Sequence, residues 1–274
     1  MGVRTILRTQ EEITISKRMA PFLTEPWNGA DCIITVQSTA ILPAFSKKGK
    51  WYGMEYYDWC EDLVRVFHCE KPMGAAFAVT QLHENGNVDI LVLPEYRSYF
   101  TGTAGIFNRI GIESLLLQHR GLLLHASLIK YMGKAVAFTG PSGIGKSTQA
   151  ELWKTYLGAE ILNGDRACVK RGEEGWMAYG SPYAGTSGIY RNDKAPLTAI
   201  VVLRQGRENR LYKLTKSEAF RYLYPELSIH HWDESFLTRA TDLCLELLEE
   251  VPVYMLECLP EEGAVEIVKK GLEL

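Results

Sequence analysis

The second half of the chain alternates between short apolar runs and segments whose apolar residues recur every three or four positions. Short runs bounded by glycine and polar residues predict strands, and the longer spacing predicts helices. The predicted strands are 122–129, 135–140, 159–165, 167–171, 176–182, 197–203, 209–214 and 251–258. The predicted helices are 104–121, 146–158, 216–225, 234–250 and a last one from Glu261. This alternation indicates an α/β fold over residues 104–274.

Residues 1–103 lack this alternation and predict a β-rich N-terminal region. Its strand-like stretches, rich in β-branched and aromatic residues, are 30–39, 61–69 and 75–94. Asn85 and Gly86 divide the last stretch into two runs, as in a hairpin with a type I′ turn. The aromatic cluster at 51–59 is interpreted as packing and hairpin pairing, with a binding face as the alternative. We place the boundary between residues 103 and 104. The boundary is soft, because no Pro/Ser-rich linker marks it anywhere between about 103 and 120.

Composition and charge narrow the class of protein. The chain is 46% hydrophobic and 23% charged, which is ordinary for a soluble globular protein. Its net charge of −3 gives no reason to expect nucleic acid or an anionic membrane as a partner. No apolar run approaches the ~20 residues of a membrane span, and the N-terminus lacks a signal-peptide core. We expect a cytoplasmic protein whose six cysteines, none of them in a CxxC pair, are reduced thiols.

One glycine-rich stretch carries a complete GxxxxGK[ST] motif between a predicted strand and a predicted helix, the setting that a P-loop requires. Glycines turn the backbone N–H groups inward, and the helix N-terminus adds to a site for phosphate oxygens. Lys146 can reach the β- and γ-phosphates, and the Ser147 hydroxyl can bind Mg²⁺. The sequence therefore predicts ATP and Mg²⁺ as ligands. The predicted nucleotide-binding residues are Gly140, Pro141, Ser142, Gly143, Ile144, Gly145, Lys146, Ser147 and Thr148.

A second acidic residue discriminates among the proteins that use such a loop. Asp165 ends the predicted strand 159–165, nineteen residues after Lys146 (165 − 146). A carboxylate there would lie beside the metal, so the predicted Mg²⁺ ligands are Ser147 and Asp165. The later strand 197–203 is followed by Arg204 rather than an acid, which disfavours ATPases whose metal-binding Asp ends a distant strand. A guanine-reading NKxD motif is also missing.

Four stretches together resemble the kinase domain of bacterial HPr kinase/phosphorylase and, more distantly, ATP-dependent phosphoenolpyruvate carboxykinase. They are LLLHASLI, GPSGIGKST, ILNGDR and GSPYAGTSGI. The resemblance is good over roughly 120–200, extends to 200–274 in layout only, and does not cover the segment before 104. It implies a P-loop kinase domain behind a β-rich N-terminal region. It also implies transfer of the γ-phosphate of ATP to a hydroxyl of a protein or peptide, and we expect that hydroxyl to be a serine.

The resemblance assigns roles residue by residue. His125 matches a histidine that lies near the transferred phosphate and the acceptor hydroxyl in the family. The alternative interpretation of His125 is a buried strand histidine that is hydrogen-bonded to backbone. The loop 180–194 takes the place of a mobile substrate loop, in which Arg191 would offset charge near the γ-phosphate. An ordinary solvated loop is the alternative there. The predicted catalytic residues are thus Asp165, Lys146, His125 and Arg191, and Arg166 pairs either with phosphate or with a structural acid.

One departure from the family pattern concerns the catalytic base, the carboxylate that would take the proton of the acceptor hydroxyl. The family carries two adjacent Asp residues, whereas this chain reads Gly164-Asp165, so the first, the base, is missing. Asp165 can hold Mg²⁺, act as the base, or do both, and Asp193 is a second candidate. A small-molecule kinase and an ATP-binding regulatory protein without turnover therefore stay open as alternatives. HPr itself is not the expected acceptor, and the hexamers of HPr kinase leave homo-oligomerisation open.

Overall fold

The computed structural model describes residues 1–25, 29–231 and 233–274. The chain divides into two compact units, Val3–Leu115 and Leu116–Leu274, and Met1–Gly2 belongs to the second. We call them the β-rich unit and the α/β unit and describe each by itself. Both contain a mixed sheet, so the α/β class holds in this coarse form.

In its described residues the β-rich unit has one seven-stranded sheet in the order β1-β2-β7-β6-β5-β4-β3. The strands are β1 (Thr5–Thr9), β2 (Cys32–Ser38), β3 (Lys50–Tyr52), β4 (Glu55–Trp59), β5 (Leu63–Cys69), β6 (Ala76–His83) and β7 (Val88–Val92). The predicted Asn85-Gly86 turn joins β6 and β7, and Gly86 has a φ of +85°. The aromatic cluster forms the β3–β4 hairpin, where the Trp51 and Tyr56 rings pack 5.2 Å apart, so the packing interpretation is confirmed.

The predicted helix over 104–121 is wrong as a single element. Two short helices replace it, α1 (Thr103–Phe107) and α2 (Ile112–Gln118). Gly111 stands between them with a φ of +59°, a left-handed conformation that interrupts the helix. The apolar spacing that predicted one helix belongs to the buried faces of two, which include Ile106 and Leu116.

The α/β unit has an eight-stranded mixed sheet among its described residues. The strands are β8 (Gly121–Tyr131), β9 (Lys134–Thr139), β10 (Glu160–Asn163), β11 (Arg166–Gly172), β12 (Gly175–Tyr179), β13 (Lys194–Gln205), β14 (Arg210–Lys213) and β15 (Val253–Cys258). The helices are α3 (Lys146–Leu157), α4 (Lys216–Leu223), α5 (Glu234–Glu250) and α6 (Glu262–Gly271). These elements confirm the predicted alternation with shifts of a few residues at their ends.

Alternate side chains of the strands pack on opposite faces of this sheet. On one face Ala135 and Ala137 lie in a core with α4 and α5, whereas on the other Val136 and Phe138 lie in a core with α3 and α6. Both faces are therefore covered by helices. The stretch HHWDE at 230–234 predicts the start of a helix with Asp233 or Trp232 near the cap, and the Asp233 side chain caps α5 by accepting a hydrogen bond from Phe236 N at 3.0 Å. The prediction that Trp232 could serve as the cap lies outside the described residues.

The long strand β8 pairs with different strands along its length. It pairs with β11 up to His125, which lies opposite Arg166, and with β10 from Leu128 to Lys130. From Ala126 onward it also pairs with β9, beginning opposite Thr139. Thr139 Oγ1 also donates to His125 O at 2.9 Å. His125 is thereby held at the end of β9, next to the loop that follows Thr139.

Candidate functional site

The glycine loop, residues 140–147, connects β9 to α3. Gly140, Gly143 and Gly145 have φ values of +136°, +79° and +114°, which favour glycine at each position. Gly145 is the N-cap of α3 and has no side chain to cap the helix. The N–H groups of the first helical turn therefore face the loop without a capping side chain, as an anion site requires.

Lys146 begins α3 and folds back over this loop. Its Nζ donates to Gly140 O at 2.6 Å and to Pro141 O at 3.1 Å. Burial lowers the pKa of Lys146. The negative charges of Glu226 and Asp165 raise this pKa, and the positive charge of Arg166 lowers it. These charged groups thus lie within electrostatic reach of Lys146. The next two residues, Ser147 and Thr148, are exposed at the mouth of the loop.

Asp165 lies in the bend between β10 and β11, and its backbone is fixed from both sides. The Asn163 Oδ1 accepts hydrogen bonds from Asp165 N at 2.8 Å and Arg166 N at 2.6 Å. Ala126 N, in β8, donates to Asp165 O at 2.9 Å. This bend brings Asp165 Oδ1 to 3.3 Å from His125 Nε2. Two of the predicted site residues, forty positions apart (165 − 125), therefore meet at the glycine loop.

Glu226 is a third member of this cluster, and sequence reasoning missed it. It ends the 3₁₀ segment Tyr224–Glu226, and its Oε2 lies 3.1 Å from His125 Nδ1. Its side chain is 11% exposed. No motif surrounds it, and its only sequence signal is an acidic residue after a proline at the break between two helices. Spatial proximity to His125, 101 positions away, is what marks it.

Arg166, rather than Arg191, is the arginine at this cluster. Arg166 Nε lies 3.6 Å from Asp165 Oδ2, and a guanidinium nitrogen donates to Ser228 Oγ at 2.6 Å. Arg191 instead donates to Glu160 Oε2 at 2.7 Å, at the start of β10, whereas Asp165 follows the other end of that strand. The structure thus does not bring Arg191 to His125 and Asp165.

Asp193, the other candidate for the base, also lies away from the cluster. Its carboxylate accepts a hydrogen bond from Lys130 Nζ at 2.7 Å, and Lys130 pairs across the sheet with Glu160. The hydrogen bond from Lys130 lowers the pKa of Asp193. Asp193 therefore forms an ion pair at the opposite end of the sheet.

The loop that leads to Arg191 packs against the bend at Asp165. A Cβ built on Gly164 would overlap the Ser187 hydroxyl, and one built on Gly185 would overlap the Asp165 carboxylate. Ser187 Oγ donates to Ala184 O at 2.6 Å, and Asn163 Nδ2 donates to Ser181 O at 2.9 Å. The space beside residue 164, where the resemblance leads us to expect a carboxylate, is thus filled by a serine.

The donor set fits a phosphate-bound magnesium ion rather than a site built from protein alone. Among residues 1–25, 29–231 and 233–274, no group of three or more His, Cys, Asp and Glu side chains could hold a metal. Magnesium usually binds one or two protein oxygens together with phosphates and water. The exposed Ser147 hydroxyl and the Asp165 carboxylate are of that kind. The six cysteines are free thiols, as predicted.

No helix in the described part of the chain is both long and apolar enough to cross a membrane. No protein-family model matches the chain, and no curated protein matches it in sequence. Among solved structures it is similar to the Hpr(Ser) kinase/phosphatase from Coxiella burnetii, with a TM-score of 0.32 and 13% identity. That match covers 55% of this chain and 92% of the other. A likeness of this size adds nothing to the site's own geometry.

Proposed function

We propose that this protein is an ATP- and Mg²⁺-dependent kinase that transfers the γ-phosphate to a hydroxyl, a serine of a protein or peptide. The observation that carries the proposal is the 3.3 Å contact between His125 and Asp165 beside the glycine loop with its buried Lys146. A loop of this sequence would bind the triphosphate, and a carboxylate beside it can serve a hydroxyl acceptor. The β-rich unit would help to recognise that acceptor.

Different residues of the α/β unit would perform the separate parts of phosphoryl transfer. The acceptor oxygen forms a bond to the γ-phosphorus, and the bond to the β–γ bridging oxygen breaks, its electron pair leaving with ADP. The hydroxyl proton passes to Asp165, the carboxylate that remains at the bend. Lys146 would leave its two loop carbonyls for the β- and γ-phosphates, because a charge-assisted bond to phosphate is the stronger one. Arg166 adds a second positive charge.

Bound Mg²⁺ would neutralise charge on the phosphate oxygens. Ser147 and Asp165 would hold it, since both supply the oxygen ligands that this ion prefers. Residues 140–148 would surround the phosphates, and the backbone N–H groups of all of them except Pro141 can donate to phosphate oxygens. The base and sugar are not specified by these residues, so the preference for ATP comes from the resemblance.

A second candidate is an ATP-binding regulatory protein without turnover. The serine that fills the space beside Gly164 favours it, because a second carboxylate cannot be accommodated while Ser187 stays there. A small-molecule kinase on the same scaffold differs in its acceptor alone. The three are separated by where the γ-phosphate goes.

The experiment follows γ-³²P from ATP in an extract of the cells that encode the protein, with magnesium chloride. Products are separated into proteins, peptides and small molecules. The native protein is expected to label a protein or peptide band, and Asp165→Asn is expected to abolish that label. The matched control is Asp242→Asn, which removes a carboxylate from α5, outside the cluster.

Label confined to small molecules would indicate the small-molecule kinase. Tight ATP binding without any transfer, in an extract that contains the acceptor, would favour the regulatory protein. Equal labelling by the native protein and Asp165→Asn would contradict the role of Asp165.

A further inference from the structure

Glu226 is a nearly buried carboxylate that contacts His125 and that no motif identifies. Acidic side chains are rarely buried unless they are paired. The Glu226 side chain is 11% exposed. Its partner is His125, whose Nδ1 lies 3.1 Å from Glu226 Oε2. A largely buried acid beside a candidate catalytic histidine is placed to act on that histidine.

The backbone fixes Glu226 to the strand that carries His125. Leu227 forms a bridge with Leu124, and Ser228 N donates to Leu123 O at 2.8 Å. The two residues that follow Glu226 are thus tied to β8. Glu226 and His125 consequently keep a set distance without support from a mobile loop.

The contact selects which nitrogen of His125 faces the bend. A carboxylate only accepts hydrogen bonds, so the contact with Glu226 requires a hydrogen on Nδ1. By the same rule the contact of Nε2 with Asp165, at 3.3 Å, requires a hydrogen on Nε2, so the ring that bridges the two carboxylates carries both hydrogens. A carboxylate that orients one nitrogen of a histidine in this way fixes the ring for the other nitrogen.

Glu226 also affects the charge at the glycine loop. Burial lowers the pKa of Lys146, and among the groups that oppose this effect Glu226 has the largest influence. The same negative charge would repel the phosphates of a nucleotide. Removing it should leave nucleotide binding intact or strengthen it, even where catalysis suffers.

We propose that Glu226 is a positioning residue that holds His125 through Nδ1 and, through Nε2, sets the Asp165 carboxylate for phosphoryl transfer. This inference rests on the proposed function. It makes Glu226 necessary for rapid turnover and not for the capture of the nucleotide.

The test compares Glu226→Gln with the matched control Glu246→Gln, whose carboxylate pairs with Arg120 and Arg171. Turnover is measured as γ-³²P transfer in a fixed amount of the same extract over a series of ATP concentrations. ATP binding is measured separately by calorimetry with magnesium chloride. Glu226→Gln is expected to lower the maximal rate about ten- to a hundredfold, as loss of such a supporting partner does. Its Kd for ATP should stay equal or fall, and the control should match the native protein.

A second variant and a spectrum guard against a folding defect. Glu226→Asp keeps the carboxylate, so its rate should lie between those of the native protein and Glu226→Gln. In ¹⁵N-labelled protein, the Nδ1–H signal of His125 should be present in the native protein and shifted or lost in Glu226→Gln. A role confined to stability would lower the melting temperature and weaken ATP binding as well.

The outcomes separate the two proposals. A native protein that transfers phosphate, together with a Glu226→Gln variant of undiminished rate, would overturn the positioning role and leave the kinase intact. A Glu226→Asp variant no faster than Glu226→Gln would overturn it too. A native protein that transfers no phosphate would instead end the proposed function, and the positioning role with it.

Discussion

The Ser187 hydroxyl occupies the space that a side chain at Gly164 would need. Gly164 is not among the glycines with positive φ, so its backbone would accept another residue. The obstacle is therefore the serine alone, which couples the two positions. A single change at either position should thus depend on the residue at the other.

Gly164→Asp is expected to destabilise the α/β unit by about 1–3 kcal/mol, the usual cost of overpacking. Adding Ser187→Gly should recover most of that loss, because it removes both the hydroxyl and the Cβ that overlap the new side chain. Urea unfolding of the two single variants and the double variant measures the coupling between the positions. Ser187→Gly alone is the control, and a double variant no more stable than Gly164→Asp would contradict the steric account.

Arg166→Ala is expected to lower γ-phosphate transfer more than Arg191→Ala does. Arg166 lies 3.6 Å from Asp165, whereas Arg191 pairs with Glu160 at the other end of β10. Loss of a charged group aimed at developing charge costs on the order of a hundredfold in rate. Initial rates of both variants at saturating ATP decide the order. A larger loss for Arg191→Ala would mean that the loop moves Arg191 to the phosphate.

The ion pair between Lys130 and Asp193 predicts a dependence of stability on pH. The hydrogen bond from Lys130 lowers the pKa of Asp193, so the folded state holds the charged form more strongly than the unfolded chain does. The contribution is therefore present above the unfolded value of about 3.9 and is lost as the pH falls through the lower folded pKa. Because the pair is part-exposed, it should contribute only about 0.2–1 kcal/mol.

Urea unfolding of the native protein and Asp193→Asn at pH 7 and at pH 3 tests this dependence. The native protein should be the more stable at pH 7, and the difference should shrink at pH 3. Lys130→Ala provides the control, because it removes the partner and should leave no comparable dependence at residue 193. A difference that stays constant between the two pH values would contradict the prediction.

The elements that depend on local pattern could be predicted from the sequence, and those that depend on distant contacts could not. The α3 helix follows the glycine motif, and the β6–β7 turn falls at Asn85-Gly86, because turn chemistry is local. The break at Gly111 was missed because apolar spacing alone does not reveal a positive φ. Glu226 was missed because its partner His125 lies on another strand, and no spacing connects them.

The sequence also could not predict which way the Arg191 side chain points. The resemblance led us to expect Arg191 near the phosphate, but Glu160 pairs with it in the structure. Arg166 and Arg191 both lie on segments that meet the bend at Asp165, and in the sequence each could supply the positive charge near the phosphate. Which of them reaches the cluster depends on strand register, and the pairing of Arg166 with His125 across β11 and β8 decides it.

The most direct test of the account is the binding of ATP to the glycine loop, measured by calorimetry with magnesium chloride. Native protein and Lys146→Ala are compared, with Lys154→Ala as the control because Lys154 lies on the same helix, exposed and paired with Glu151. A charge-assisted bond to phosphate contributes about 1.5–3 kcal/mol, so Lys146→Ala should weaken binding about ten- to a hundredfold or more. Lys154→Ala should bind as the native protein does. Equal ATP affinity in native protein and Lys146→Ala, or no binding by either, would contradict the account.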